Sequence, residues 1–328
     1  MSSTIHIVGA NLTARIVGQH PVVRANPVPD HVMPDDHVIV VASSYWDIEL
    51  LDDMDCAADH RWIYCSDLSL TSMVGRVRSA QRQPCKVMVS SDDLAWSLLH
   101  STNIGQVYNV SGLIWASDAI ANLEPRPWAS RAKRVILGSW TAIHQPNFFL
   151  DLVDMWYEQG PCDVEFVILN ATALHLQDPT SLSRALDMQT RGKVRILDAV
   201  DRKTYFDIMQ HGRVLVDCGL GGATEVMCWA DSLGLNLLVP ACHGKAEFLA
   251  HDPNRLYVPW SIDDAFIKLT QLIERQHHNV GLASAWSDRV VDRMVEVIDN
   301  PQCQWLRDIQ NCPAHFTQPR YHVVKIEE

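Results

Sequence analysis

Apolar residues in this 328-residue chain gather into short continuous runs, separated by stretches in which they recur every three or four positions. In the first half the runs lie at 5–8, 38–41, 62–64, 87–89 and 107–110. Runs of that length, rich in Val and Ile, read as strands covered on both faces. Helical spacing appears at 70–80 and 92–100, with Asp92-Asp93 where a helix N-cap belongs. The segment Glu124-Pro-Arg-Pro-Trp-Ala-Ser-Arg-Ala-Lys-Arg134 interrupts the pattern and reads as an interdomain linker. The pattern then restarts, with strands expected at 135–137, 164–169, 194–197, 214–216 and 237–239. Helices are expected at 147–158, 202–210, 224–232, 263–274 and 287–298. Alternation of this kind predicts parallel sheets with helices on both faces. The expected fold class is α/β, with two Rossmann-like domains facing each other across a deep cleft. Their bounds are read as 1–130 and 131–280, with helices in 281–328 packing back on the first domain.

Composition narrows the possibilities. At 47% hydrophobic and 20% charged residues the chain can fill two cores. No apolar run approaches the roughly 20 residues of a membrane span, so no membrane partner is expected. The N-terminus, Met1-Ser-Ser-Thr-Ile-His-Ile-Val-Gly9, lacks a basic region and a long apolar stretch. A cytoplasmic location is therefore expected. Nine cysteines, an odd number without any Cys-x-x-Cys pair, argue for reduced core thiols rather than a disulfide framework or a zinc site. The formal net charge of −12 argues against a dedicated duplex binder, although residues 61–134 carry nine basic and five acidic side chains.

One segment carries most of the chemistry. Asp217-Cys-Gly-Leu-Gly-Gly-Ala-Thr-Glu225 follows an expected strand and opens an expected helix. Gly219, Gly221 and Gly222 permit a sharp turn and a close approach to a ligand. Amides of 221–224 at a helix N-terminus suit a diphosphate, and Glu225 can accept hydrogen bonds from ribose hydroxyls. Helix capping alone is the plainer account of the same residues. The dinucleotide fingerprint is excluded because Thr224 stands where its third glycine would be, and no Gly-Lys-Ser/Thr marks a P-loop. The Asp-x-Asp at 53–55 has no strand immediately before it and reads as a solvated turn. His277-His278 reads as a surface pair at a helix end.

The spacing from Asp217 to Glu225 resembles the acidic-x7-Glu pattern of GT-B glycosyltransferases. The flanking strands and Leu237-Leu-Val-Pro-Ala-Cys-His-Gly-Lys245 are similar to their donor-domain layout, over roughly 134–275. The resemblance implies a nucleotide-sugar donor site built from Gly138, Ser139, Gly221, Gly222, Thr224, Glu225 and Lys245. In the first half, Val38-Ile-Val-Val-Ala-Ser-Ser-Tyr-Trp46 and Arg61-Trp-Ile-Tyr-Cys-Ser-Asp67-Leu-Ser-Leu70 resemble the DNA β-glucosyltransferases of T-even bacteriophages. That likeness implies Asp67 as the catalytic base of an inverting transfer and UDP-glucose as the donor. Its acceptor would be a hydroxymethylated pyrimidine in phage DNA, with Arg76, Arg78 and Arg82 on the acceptor phosphates.

The departures matter as much. Gly222 stands where the phage enzymes carry a donor-site arginine, and the loop after Gly138 offers Trp140, His144 and Gln145 with no arginine. Magnesium or manganese is left as an aid to product release, with no protein ligands assigned. Two other readings stay open. One is a GT-B enzyme for a small-molecule, glycan or protein acceptor, which the acidic charge favours. The other is a non-catalytic nucleotide- or partner-binding module.

Overall fold

The computed structural model describes residues 4–8, 23–25, 32–41, 56–65, 85–91, 94, 95, 98, 107–110, 123–138, 145–161, 163–169, 179–198, 200–219, 224–277 and 282–299, and the following concerns these residues. The first half forms a parallel six-stranded sheet. Its strands are β1 (Ile5–Val8), β2 (Val23–Ala25), β3 (His37–Val41), β4 (Arg61–Cys65), β5 (Lys86–Val89) and β6 (Val107–Asn109), in the order β2-β1-β3-β4-β5-β6. All five residues of β4 are buried, as a strand covered on both faces requires.

The second half forms another parallel sheet, from β7 (Arg134–Leu137), β8 (Glu165–Leu169), β9 (Arg195–Leu197), β10 (Val214–Val216), β11 (Asn236–Pro240) and β12 (Leu256–Tyr257). Its order is β12-β11-β10-β7-β8-β9, so the winding reverses between β7 and β10. In doubly wound sheets a crevice opens at that reversal, beyond the carboxyl ends of the two strands. The helices are α1 (Pro146–Gln159), α2 (Pro179–Thr190), α3 (Arg202–His211), α4 (Glu225–Ser232), α5 (His243–Phe248), α6 (Ile262–Leu272) and α7 (Leu282–Asp299). Two apolar clusters lie on the two faces of the sheet. One packs α1, α2 and α6 against Phe166, Ile168, Val214 and Val216, and the other packs α3 and α4 against Ile136, Val167, Leu215 and Leu237.

Helix α7 belongs to the other sheet's core. Val290, Val291, Met294, Val297 and Ile298 share a cluster with Ile5, Ile7, Ile39, Trp62 and Tyr64. The same helix also runs alongside α4.

The linker is firmly docked. Arg131, 5% exposed, donates from Nε to the Arg126 carbonyl at 2.9 Å. Its Nη atoms reach the carbonyls of Gly212, Gly234 and Leu233 at 3.4, 2.8 and 2.6 Å. Its partners are all carbonyls, and burial lowers its pKa to about 10. Gly234 sits at φ +78°, and a Cβ there would come within 2.8 Å of Arg131 Nη2.

The expected surface role of His277 is corrected by its burial. Its Nδ1 lies 2.5 Å from Arg255 Nη2 and its Nε2 lies 3.3 Å from Asp231 Oδ1. Arg255 and Asp231 are themselves buried and paired at 2.9 Å, so charges from two other elements make the interior polar enough to hold the imidazole. Cys56, Cys65, Cys85, Cys218 and Cys228 are buried thiols outside any disulfide, in keeping with reduced core cysteines. No described helix is long and apolar enough to cross a membrane.

Candidate functional site

The crevice at the sheet reversal is framed by the ends of β7 and β10. Gly138, just after β7, donates its amide to the Val216 carbonyl at 3.0 Å and accepts from the Tyr205 hydroxyl of α3 at 3.2 Å. A side chain at Gly138 would press on Leu215 and on Val226 of α4, both at 3.2 Å. The missing Cβ therefore lets the start of α4 close down on the end of β7.

Asp217 is the first residue after β10 and only 3% exposed. Its Oδ1 accepts the Gly219 amide at 2.9 Å, a local turn that lifts the chain off the sheet. Its Oδ2 accepts from the Thr224 hydroxyl at 3.4 Å, at the far end of the same loop. Thr224 caps α4 by accepting the Met227 amide at 3.4 Å. Glu225 then opens the helix, half-buried, in the first turn where the helix dipole favours a carboxylate.

Lys245, expected to reach a donor phosphate, is placed differently. Its side chain is wholly buried, with Nζ 3.1 Å from Asp217 Oδ1 and 2.5 Å from the Gly219 carbonyl. The ammonium is thus the internal counter-charge of the loop. Strand β11 delivers it there, because it lies five residues beyond the end of that strand, in the first turns of α5. A buried carboxylate needs such a partner, and the pair cross-braces two neighbouring loops.

Two tyrosines complete the frame, Tyr205 partly buried and Tyr257 fully, and the sequence pattern gives no sign of either. Burial and the nearby Asp217 charge push the Tyr205 phenol well up. Tyr257 hydrogen-bonds the Cys218 thiol, which burial and Asp217 also keep protonated. On the outer side Arg202, exposed at the start of α3, lies over the rings of Phe206 and Trp229 at 5.9 and 6.0 Å. Trp229 follows Glu225 by four residues and so shares its face of α4. An arginine therefore stands beside this helix, although none precedes it in the loop.

The structure thus brings Gly138, Thr224 and the start of α4 together at the carboxyl ends of β7 and β10, where such a crevice is expected, with Lys245 held against Asp217. Ser139, Gly221 and Gly222 lie outside the described residues, as do Asp67, Arg76, Arg78, Arg82 and the acidic turn at 53–55.

Two parallel sheets, the second with a reversal crevice and a braced loop, decide the comparison with solved structures. The chain has the GT-B fold. A GT-B structure, Anabaena Alr3699/HepE in complex with UDP and glucose, superposes with a TM-score of 0.53. It is 11% identical, over 94% of this chain and all of that one. A mutant form of Staphylococcus aureus TarM, in complex with Fondaparinux, α-GlcNAc-glycerol and UDP, gives 0.52 at 12% identity, over 83% of this chain. This chain spans 55% of the length of that one. Sucrose-phosphate synthase of Thermosynechococcus elongatus gives 0.51 at 12% identity, over 84% of this chain and 73% of that one. No protein-family model and no curated protein sequence matches the chain.

Proposed function

We propose that this protein is a glycosyltransferase that takes its sugar from a UDP-sugar such as UDP-glucose and holds the donor at the β7/β10 crevice. The reading is carried by the braced loop between Asp217 and Thr224, with Glu225 at the mouth of α4. Ties at Gly219 and Thr224 fix the segment before α4 at both of its described ends, so the start of the helix is set in place before a diphosphate arrives. Glu225 would take the ribose hydroxyls, and Arg202 supplies a positive charge next to that face. Solved GT-B structures that carry UDP, such as HepE and TarM, support the nucleotide assignment.

The finer reading concerns the acceptor. Residues 38–46 and 61–70 support transfer to a hydroxymethylated pyrimidine in DNA, as in the phage enzymes. In that scheme the Asp67 carboxylate takes the proton of the acceptor hydroxyl while its oxygen attacks the anomeric carbon. The bond from that carbon to the diphosphate breaks, configuration inverts, and UDP leaves toward the start of α4. Arg76, Arg78 and Arg82 would hold acceptor phosphates.

Donor and acceptor can be tested apart. Calorimetry with UDP should show binding, and Glu225→Ala should weaken it at least about tenfold, the worth of one charge-assisted pair of hydrogen bonds. Wild-type protein that does not bind UDP would overturn the donor reading. Incubation with UDP-sugars and DNA bearing cytosine, 5-hydroxymethylcytosine or 5-hydroxymethyluracil, followed by nucleoside mass spectrometry, tests the acceptor. In that assay Asp67→Ala should keep UDP binding and lose transfer by about 10²–10⁴-fold. UDP binding with no mass gain on any DNA would leave the donor reading standing and remove the DNA acceptor.

A further inference from the structure

Beyond β12 the chain makes a tight turn, Val258-Pro259-Trp260-Ser261, closed by the Ser261 amide donating to the Val258 carbonyl at 3.0 Å. Proline in the second position and positive φ in the third are the marks of a type II turn. The third position strongly favours glycine, yet Trp260 occupies it at φ +69°. Its side chain gains no shelter in return, since Trp260 is 54% exposed and Val258 58%. A large aromatic held in a left-handed backbone conformation and turned to solvent contributes nothing to the core, and strain of this kind concentrates at ligand sites.

The turn is also held rigid. Asp264 Oδ2 accepts the Val258 amide at 2.6 Å, Ser261 caps α6 through the Asp264 amide, and Lys268 pairs with Asp264 at 3.1 Å. It sits on the same carboxyl edge of the sheet as the braced loop. Strand β12 is two strands from β10, or about 10 Å along that edge. Tyr257, the last residue of β12, bonds the thiol of Cys218 next to Asp217, so turn and loop are tied through one side chain.

Resting on the donor half of the reading above, and taking a glycan in place of the DNA acceptor, we infer that Trp260 is a stacking platform for a sugar ring of an uncharged glycan acceptor, one or two rings away from the transferred sugar. An indole presents a flat apolar face to the C–H face of a pyranose. Exposed Asp263, three residues on, can accept from its hydroxyls. With Asp264 paired to Lys268, the exposed carboxylate of Asp263 at the foot of the platform disfavours a polyphosphate backbone and favours a neutral sugar over a nucleic acid.

Trp260→Gly places the preferred residue in the turn, so this variant should melt no lower than the wild type. Full-length protein saturated with UDP would be titrated with maltotriose, cellotriose and chitotriose, following indole fluorescence and saturation-transfer NMR. At least one of the three is expected to bind. Trp260→Gly should weaken that binding at least about tenfold with UDP affinity unchanged, and Trp260→Phe should stay within about threefold. Equal binding by Trp260→Gly, or no trisaccharide binding by a protein that binds UDP, would overturn the platform alone. Loss of UDP binding in the wild type would overturn the donor reading on which it rests. Tighter, Trp260-dependent binding of single-stranded DNA in the same titration would replace the sugar with a base and refute the proposal.

Discussion

The carboxylate of Asp217 faces inward. The acidic-x7-Glu spacing invites giving both acids to the ligand, but here they divide the work. Asp217 gathers the Gly219 amide, the Thr224 hydroxyl and the Lys245 ammonium, while Glu225 stands at the helix mouth. Removing one member of a buried ion pair strands the other charge, at a cost of about 3–5 kcal/mol. Lys245→Met should therefore lower the unfolding free energy in urea by about that amount and weaken UDP binding. Adding Asp217→Asn should recover most of the stability, and failure to do so would mean that the pair is not the brace. The glycine spacing that marks this loop is legible in the sequence, because backbone freedom is encoded locally. The partnership with Lys245 is not. It joins residues 28 apart through the register of β10 and β11, and no local pattern records that. The burial of His277 is hidden for the same reason, since it depends on Asp231 and Arg255 from other elements.

Among elements, the buried strands are the most readable. Strands β3, β4, β5, β7, β8 and β10 coincide with apolar runs to within a residue or so, since a parallel strand covered on both faces leaves a continuous signature. The elements that the pattern does not announce are weak in that signature. Strand β12 has two residues, α5 has six, and α2 buries only Ser181, Leu182, Ala185 and Met188. The segment 124–134 has the prolines of a linker, but its Arg131 works as a rivet. The guanidinium closes the carbonyl-bearing ends of α3 and α4 against the linker through four acceptors. Arg131→Leu leaves those buried carbonyls without a donor and should cost about 3 kcal/mol. Arg131→Lys should restore little, because one ammonium cannot span them. Chemical denaturation of both variants checks this, and a loss below about 1 kcal/mol for Arg131→Leu would show that water takes over the role.

At the scale of the whole molecule, acid stability should carry the mark of one histidine. Burial, with help from His60 and Lys86, depresses His37 from 6.5 to about 4 in the folded chain, against the pull of Asp59 and Asp299. The unfolded chain then holds a proton between those values that the folded chain refuses. Stability is therefore complete above about pH 6.5, falls as pH drops toward 4, and levels off for this group below that. Burial alone would raise the Asp36 carboxyl, but its hydrogen bonds to Thr4, Met33 and His6 together lower it. It therefore adds its own loss only below its ordinary value of 3.8. Urea unfolding across pH 4–7 should show a decline of about 2 kcal/mol, after allowance for solvent screening of a half-buried ring, that His37→Gln flattens. An unchanged slope in the variant would assign the acid sensitivity elsewhere. His37 opens β3, the strand that lies at the heart of the first sheet, and Asp299 closes α7.

Helix α7 has a mechanical meaning of its own. Its apolar face is fixed in the core of the first sheet, yet it runs beside α4, whose first residue is Glu225. Among the described residues the polypeptide thus passes from one half to the other twice, once through the riveted linker and once on the way into α7. Two bodies joined at two points keep a single easy rotation, about the line through both joints, where one joint would leave a swivel. A ligand that shifts α4 must then either slide it along α7 or drive the first sheet through that same arc. The crevice and the opposite half are geared together by the course of the chain itself.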